Sequence, residues 1–258
     1  MKHNLSTNRM ILTTLLLFLT LLLFGCKGSV KSPTRPPDKP PEWETPRENR
    51  EAEEAALWLS DSLVVPEWLY NAILNDLAAI RAEYSDSIPQ VNITFIPPWV
   101  SGKIWVSVTD EAKEKIRRGQ YHELDSLNSV FHLTEIDTSF RIGNFVYLTF
   151  EGRFHPERLA ELYKQVSSID YAGASRLIGD WSNVYPWVTL NGLSYLFREG
   201  WGDCPAGCIQ SCYWYFKVTS SGIDYIGSWC MTSGQPPGFE PDWWWEARIA
   251  YLYFRGGL

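Results

Sequence analysis

The chain has 258 residues, of which 45% are hydrophobic and 21% are charged, and its formal net charge is -7. This composition excludes a disordered, collagen-like or coiled-coil protein and suffices for one sizeable hydrophobic core or two small ones. The acidic net charge argues against nucleic acid and against an anionic membrane surface as partners.

The first 26 residues have the organisation of an export signal. Residues 1–10 contain Lys2 and Arg9 but no acidic residue, and residues 11–24 are almost entirely apolar. This apolar stretch has the length of the central region of a signal peptide, whereas a membrane span needs about 20 residues. It ends in Gly25-Cys26 and resembles the lipobox of bacterial lipoproteins.

The resemblance implies that residues 1–25 are a signal peptide and that Cys26, acylated by fatty acids such as palmitate, becomes the new N-terminus. The acylated Cys26 then makes the membrane the first expected partner. Because Lys27 rather than an aspartate follows the cysteine, the resemblance further implies the outer membrane, with the protein facing the periplasm. Loss of Lys2 and Arg9 leaves 21 basic and 30 acidic residues, a net charge of -9.

Residues 26–45 predict a tether rather than a folded segment. The prolines in this stretch are Pro33, Pro36, Pro37, Pro40 and Pro41, mixed with charged and small residues. Such a segment forms an extended spacer of about 3.1 Å per residue, which reaches roughly 60 Å. Residues 46–258 are then the body, and a division of the body near residue 175 stays open.

The first part of the body has helical patterns. Residues 45–48, Thr-Pro-Arg-Glu, have the form of a capping box and predict a helix from Pro46 to about Leu59. Apolar residues at helical spacing predict a second helix that starts at Pro66. Further helices are expected after a Thr109 cap and over residues 123–130.

Strand patterns interrupt these helices and then dominate. A hairpin is expected from residues 91–95 and 104–108. The order of a strand at Phe145–Phe150, a helix from Pro156 and a returning segment to Ala174 resembles half of a ferredoxin-like fold, as in prodomains and inhibitors of secreted proteases. Five more strands are expected, at residues 184–190, 193–197, 212–219, 223–230 and 245–254.

The predicted class is therefore α+β, with N-terminal helices, a mixed middle containing a ferredoxin-like half, and an antiparallel β-rich C-terminal part stapled by disulfides.

Four cysteines remain besides Cys26, and an even number in an exported chain favours disulfides. Ser220-Ser221-Gly222 suits a three-residue hairpin loop, which sets Thr219 opposite Ile223. The same register sets Cys212 opposite Cys230, within disulfide distance.

The remaining pair, Cys204 and Cys208, is then expected to close a five-residue turn. The alternatives are a metal site and a redox pair. We expect no metal and no cofactor, because the pair lacks Cys-x-x-Cys spacing and Cys230 has no close companion.

Two aromatic segments are candidate binding sites. Gly200–Ile209 contains Trp201 and Asp203 and resembles a segment of secreted and lipid-anchored bacterial proteins of uncharacterised function; the resemblance implies export and a disulfide turn. The second candidate is the triplet Trp243, Trp244 and Trp245. If this triplet is extended, at least one of its rings faces solvent and is available to a glycan or protein ligand.

The sequence contains none of the common catalytic motifs, and His122, His132 and His155 have no partner at a diagnostic spacing. We therefore name no catalytic residue and expect a binding or interaction module. The alternatives are an envelope hydrolase acting on glycan or peptide, in which Glu151, Asp180 or Asp203 contributes a carboxylate, and a module similar to protease prodomains and inhibitors. An enzyme is expected to show a cleft with convergent carboxylates or a histidine of shifted pKa, and a binding module an exposed aromatic patch.

Replacing the acylated cysteine tests the predicted anchor. The Cys26→Ala variant is expected to move from the membrane fraction to the soluble fraction, because acyl chains contribute about 0.8 kcal/mol per buried CH₂. Fractionation of cells followed by immunoblotting measures the change. A variant that stays in the membrane fraction contradicts the anchor.

Overall fold

The computed structural model describes residues 47–141, 143–231 and 239–254. The predicted signal peptide, Cys26, the tether and the proposed Thr45 cap lie outside these ranges. The helices are α1 (Arg50–Ser60), α2 (Glu67–Tyr84), α3 (Asp110–Arg117), α4 (Asp125–Val130), α5 (Pro156–Tyr163) and α6 (Trp244–Phe254). The strands are β1 (Trp99–Val108), β2 (Leu133–Ser139), β3 (Phe145–Phe150), β4 (Ile169–Arg176), β5 (Asn183–Thr189), β6 (Gly192–Trp201), β7 (Gln210–Thr219) and β8 (Gly222–Met231). The α+β class is confirmed.

Residues 99–176 form a complete ferredoxin-like unit. Its sheet, sheet A, has the strand order β2-β3-β1-β4 with antiparallel neighbours. Helices α3 and α4 connect β1 to β2, and α5 connects β3 to β4. This is the split β-α-β arrangement, of which the sequence predicted only half. The missed strand was β2, whose polar sequence leaves most of it exposed at the sheet edge.

Sheet B lies between two helical layers. It is an antiparallel meander in the order β5-β6-β7-β8. The apolar stripe of α2 packs with α1 against one face, where Ile73, Leu77 and Phe197 share a core. Helix α6 covers the other face, where Trp244 packs with Tyr213. The two faces of sheet B therefore belong to separate cores.

The strand expected at residues 91–95 is wrong. Pro89–Asn92 is a short 3-10 turn, and its Val91 is fully buried between helices and sheet B. Side chains instead of a neighbouring strand satisfy the backbone here. The Phe95 amide donates to the Glu51 carboxylate at 2.8 Å, and the Ile96 amide donates to Asn183 Oδ1 at 2.8 Å.

The strand expected at residues 245–254 is also wrong, because Trp244–Phe254 is helix α6. Its buried residues are Trp244, Ala247 and Ala250, which recur every three residues, and no alternation of period two is present.

The first helix also starts later than expected. Asn49, rather than Thr45, caps α1 by accepting a hydrogen bond from the Ala52 amide at 2.9 Å.

The loop of the β7–β8 hairpin is one residue shorter than predicted. Thr219 pairs with Gly222 instead of Ile223, so the loop contains only Ser220-Ser221. A two-residue loop is the commonest hairpin connection, and it accommodates Gly222 at a φ of 134°.

A β-bulge restores the predicted cysteine register. Ile226 is the extra residue in β8, so Cys212 lies opposite Cys230 despite the different turn. Both predicted disulfides, Cys212–Cys230 and Cys204–Cys208, are present. Such bonds are typical of an extracytoplasmic or secreted protein. In the described ranges, no helix combines the length and apolarity that crossing a bilayer requires.

Removal of the hairpin disulfide is expected to destabilise the body. The Cys212–Cys230 bond joins residues 18 apart, and loop-closure entropy predicts a loss of about 3 kcal/mol in the Cys212→Ala/Cys230→Ala variant. Urea unfolding measures the difference. The Cys204→Ala/Cys208→Ala variant opens a shorter loop and should lose about 2 kcal/mol. Unchanged stability of the first variant is the contradicting result.

Candidate functional site

A buried arginine lies at the centre of the candidate site. Arg198 on β6 is 1% exposed and shares its sheet face with Leu196. Its guanidinium donates to both carboxylate oxygens of Asp180, at 2.6 and 2.7 Å, and to the Trp181 carbonyl at 3.0 Å. Its Nε donates to Ser211 Oγ at 2.9 Å. All three guanidinium nitrogens are therefore used.

Aromatic side chains complete the surroundings of this ion pair. The Arg198 guanidinium lies 5.6 Å from the centre of the Tyr251 ring, which contacts the rings of Tyr185 and Tyr213 edge-on. Burial is the largest single influence on the pKa of Arg198 and lowers it, but the hydrogen bonds to Asp180 and the neighbouring tyrosines together raise the pKa above its ordinary value. Burial also raises the pKa of Tyr185. The pair is thus a charged contact inside an aromatic shell.

Asp180 connects the ion pair to two loops, residues 177–182 and 201–209, which we call the stapled loop pair. The Cys208 amide donates to Asp180 Oδ2 at 3.2 Å, and the Asp180 amide donates to the Cys204 carbonyl at 2.9 Å. Next to them, the Gly200 amide donates to Ser182 Oγ at 3.0 Å. The Cys204–Cys208 disulfide closes the second loop. Each loop therefore holds the backbone of the other.

Two glycines are required by this close approach. A Cβ at Gly200 would lie 2.8 Å from the Cys208 sulfur and 3.0 Å from an Arg198 nitrogen. Gly179 has a φ of 118°, and a Cβ there would lie 2.9 Å from the Trp181 ring, which packs over it. Larger residues at either position would displace the disulfide or the indole.

The stapled loop pair presents large apolar side chains to solvent. Ile178, Trp181, Trp201 and Ile209 are all exposed. A cleft of about 220 Å³ borders the first loop, and Pro97 and Trp181 are among the residues that line it. Because the disulfide and the hydrogen bonds fix the loop backbone, these side chains project from a preorganised backbone.

The structure separates the two predicted binding segments. Trp201 and the exposed Asp203 belong to the stapled loop pair. Trp243 and Trp244 pack with the aromatic side chains of sheet B, on the face that Arg198 and Tyr213 share. Strand alternation puts Trp201 on the opposite face from Arg198. The two segments therefore do not converge on one groove.

Trp245 is exposed, but for a different reason from the one expected. It lies in the first turn of α6, whose other side packs on sheet B, and the Arg248 guanidinium lies 5.5 Å from its ring. Helix geometry rather than strand alternation turns this ring outward.

His155 and the carboxylates of Glu51 and Glu54 occupy structural positions. His155 is the residue immediately before α5 and is buried; its Nε2 lies 3.7 Å from Asp61 Oδ1, and burial lowers its pKa. Glu51 and Glu54 line a pocket of about 370 Å³, where arginines bind both carboxylates. No group of three or more potential metal ligands occurs in the described part of the chain.

The sequence analysis did not identify Arg198, and it named Asp180 only as a candidate carboxylate of a hydrolase. The sequence Leu193–Arg198 could have indicated a buried ion pair. Arg198 shares a face with Leu196 in a strand that is buried on both sides, and a buried arginine needs a counterion. Nothing in the spacing identifies that counterion as Asp180.

No protein-family model matches the chain, and no curated protein or solved structure is significantly similar to it.

Breaking the buried pair is expected to be far more damaging than breaking an exposed one. Arg198→Met leaves Asp180 buried without its partner and should lower the free energy of unfolding by about 3–5 kcal/mol. Arg158→Met removes the partly exposed bidentate contact with Asp61 and should cost about 1 kcal/mol or less. Urea unfolding of both variants measures the contrast. Equal losses would contradict the structural role of Arg198.

Proposed function

We propose that the chain is a lipid-anchored bacterial lipoprotein of the outer membrane that binds a partner protein in the periplasm through the stapled loop pair. The lipobox-like segment that ends in Cys26 and the two disulfides support export and anchoring. The anchor and the tether leave the body free to meet a partner near the membrane.

The observation that carries this proposal is the combination of exposed apolar side chains with a rigid backbone. Loops that bind are usually mobile and lose conformational entropy when they bind. Here the disulfide, the Asp180 carboxylate and the Ser182 hydroxyl already hold the loop backbone. Such a surface can bind a partner without first being ordered.

The chemistry of the exposed side chains favours a protein over a glycan. Trp181 and Trp201 are of the type that dominates binding energy at protein interfaces. Ile178 and Ile209 add aliphatic surface, which buries well against protein side chains but offers no hydrogen bonds to sugar hydroxyls. The cleft beside Trp181 has room for a side chain of the partner.

Site-specific photocrosslinking in cells tests this proposal. Benzoylphenylalanine replaces Ile209 in one full-length variant and Val188 in another. The two side chains are 57% and 58% exposed, but Val188 lies at the opposite end of sheet B. We expect a discrete protein adduct from position 209 that is absent from position 188, and a loss of that adduct when Trp181→Ser is added.

Two outcomes contradict the proposed surface. One is the same pattern of adducts from both positions. The other is co-sedimentation of the protein with purified peptidoglycan sacculi that Trp181→Ser abolishes, because the loops would then bind a glycan.

A further inference from the structure

The ferredoxin-like unit contains an apolar pocket of about 220 Å³ between sheet A and its helices, apart from the stapled loop pair. Its floor consists of the buried side chains of Val106, Val108, Val146 and Leu148. These residues alternate inward along β1 and β3. The pocket therefore opens onto the hydrophobic core of the unit.

The pocket exists because the helical layer over sheet A is incomplete. The connection from β1 to β2 contains two short helices, α3 with eight residues and α4 with six, and α4 buries none of its residues. Ile136 on β2 pairs with Leu148 and so faces the same side of the sheet, yet it is 54% exposed. The helices thus leave the end of the core face open.

The walls and the rim of the pocket differ in chemistry. Ile116 and the buried Leu124 form apolar walls. Asp125 and Asn128 also line the pocket, and the exposed Asp125 carboxylate lies at its rim. His122 Nδ1 lies 2.9 Å from Asp125 Oδ2, and the Tyr163 hydroxyl donates to Asn128 Oδ1 at 2.9 Å. A carboxylate at the rim attracts a cation and disfavours an anion.

We propose that this pocket binds a small amine with a single aromatic ring on a short chain. An engineered apolar cavity of about 150 Å³ binds benzene, so this larger pocket has room for a ring and a two-carbon chain. The ring contacts the apolar floor, and the ammonium group lies at the rim beside the Asp125 carboxylate. The site is independent of the partner surface on the stapled loop pair.

Two probes of equal size and opposite charge test this assignment. Phenethylamine and phenylacetate are titrated into the full-length Cys26→Ala chain, and binding is measured by ligand-observed NMR. We expect saturable binding of phenethylamine at about millimolar concentration and at least about fivefold weaker binding of phenylacetate. In Asp125→Asn, the two affinities should agree within about twofold. Equal affinities in the parent chain overturn the charge assignment.

A matched pair of variants tests the location. Ile136→Asn places an amide on the pocket wall and should weaken phenethylamine binding at least about fivefold. Val130→Asn changes an aliphatic side chain that is 49% exposed and does not line the pocket, so its affinity should stay within about twofold of the parent. Because both positions are exposed, both variants are expected to fold. Equal affinities in the two variants, or no saturable binding to the parent, overturn the proposal.

Discussion

The bidentate contact between Arg198 and Asp180 is the constraint on which the organisation of the site depends. A buried guanidinium is tolerated only when its charge is balanced and its donors are satisfied. Asp180 supplies the charge, and it also bonds to the Cys208 amide and the Cys204 carbonyl of the disulfide loop. The pair therefore does more than neutralise a charge in sheet B, because it fixes the position of two loops that share no strand.

Periodicity predicted most of the fold correctly, because it reflects burial directly. The stripe of α2 and the alternation of β1 identified a helix and a strand that the structure confirms. Periodicity gave a wrong strand where side chains, rather than a neighbouring strand, accept the backbone hydrogen bonds. The Phe95 amide donates to the Glu51 carboxylate, and no local spacing encodes a partner 44 residues away. It also failed at α6, where three consecutive tryptophans suit either periodicity.

The candidate site was only partly predictable, for a related reason. The glycines and cysteines of residues 200–208 indicate a bent turn closed by a disulfide, which the Cys204–Cys208 bond confirms, whereas Trp201 is the last residue of β6. The cysteine pairing across the hairpin was right although its turn was wrong, because the bulge at Ile226 compensated the shift. The contact of Asp180 with Arg198 depends on tertiary packing of a loop against strand β6, which one sequence does not reveal.

Hydrogen exchange of individual loop amides tests the central claim most directly. The Asp180 and Cys208 amides donate within the stapled loop pair, and the Gly200 amide of β6 donates to Ser182 Oγ in the first loop. If the buried ion pair holds these loops, their amides exchange as slowly as those of β6 and β7, and Asp180→Asn accelerates the Cys208 amide most. Fast exchange of the Asp180 and Cys208 amides in the parent chain, at the rate of an open loop, would contradict the account.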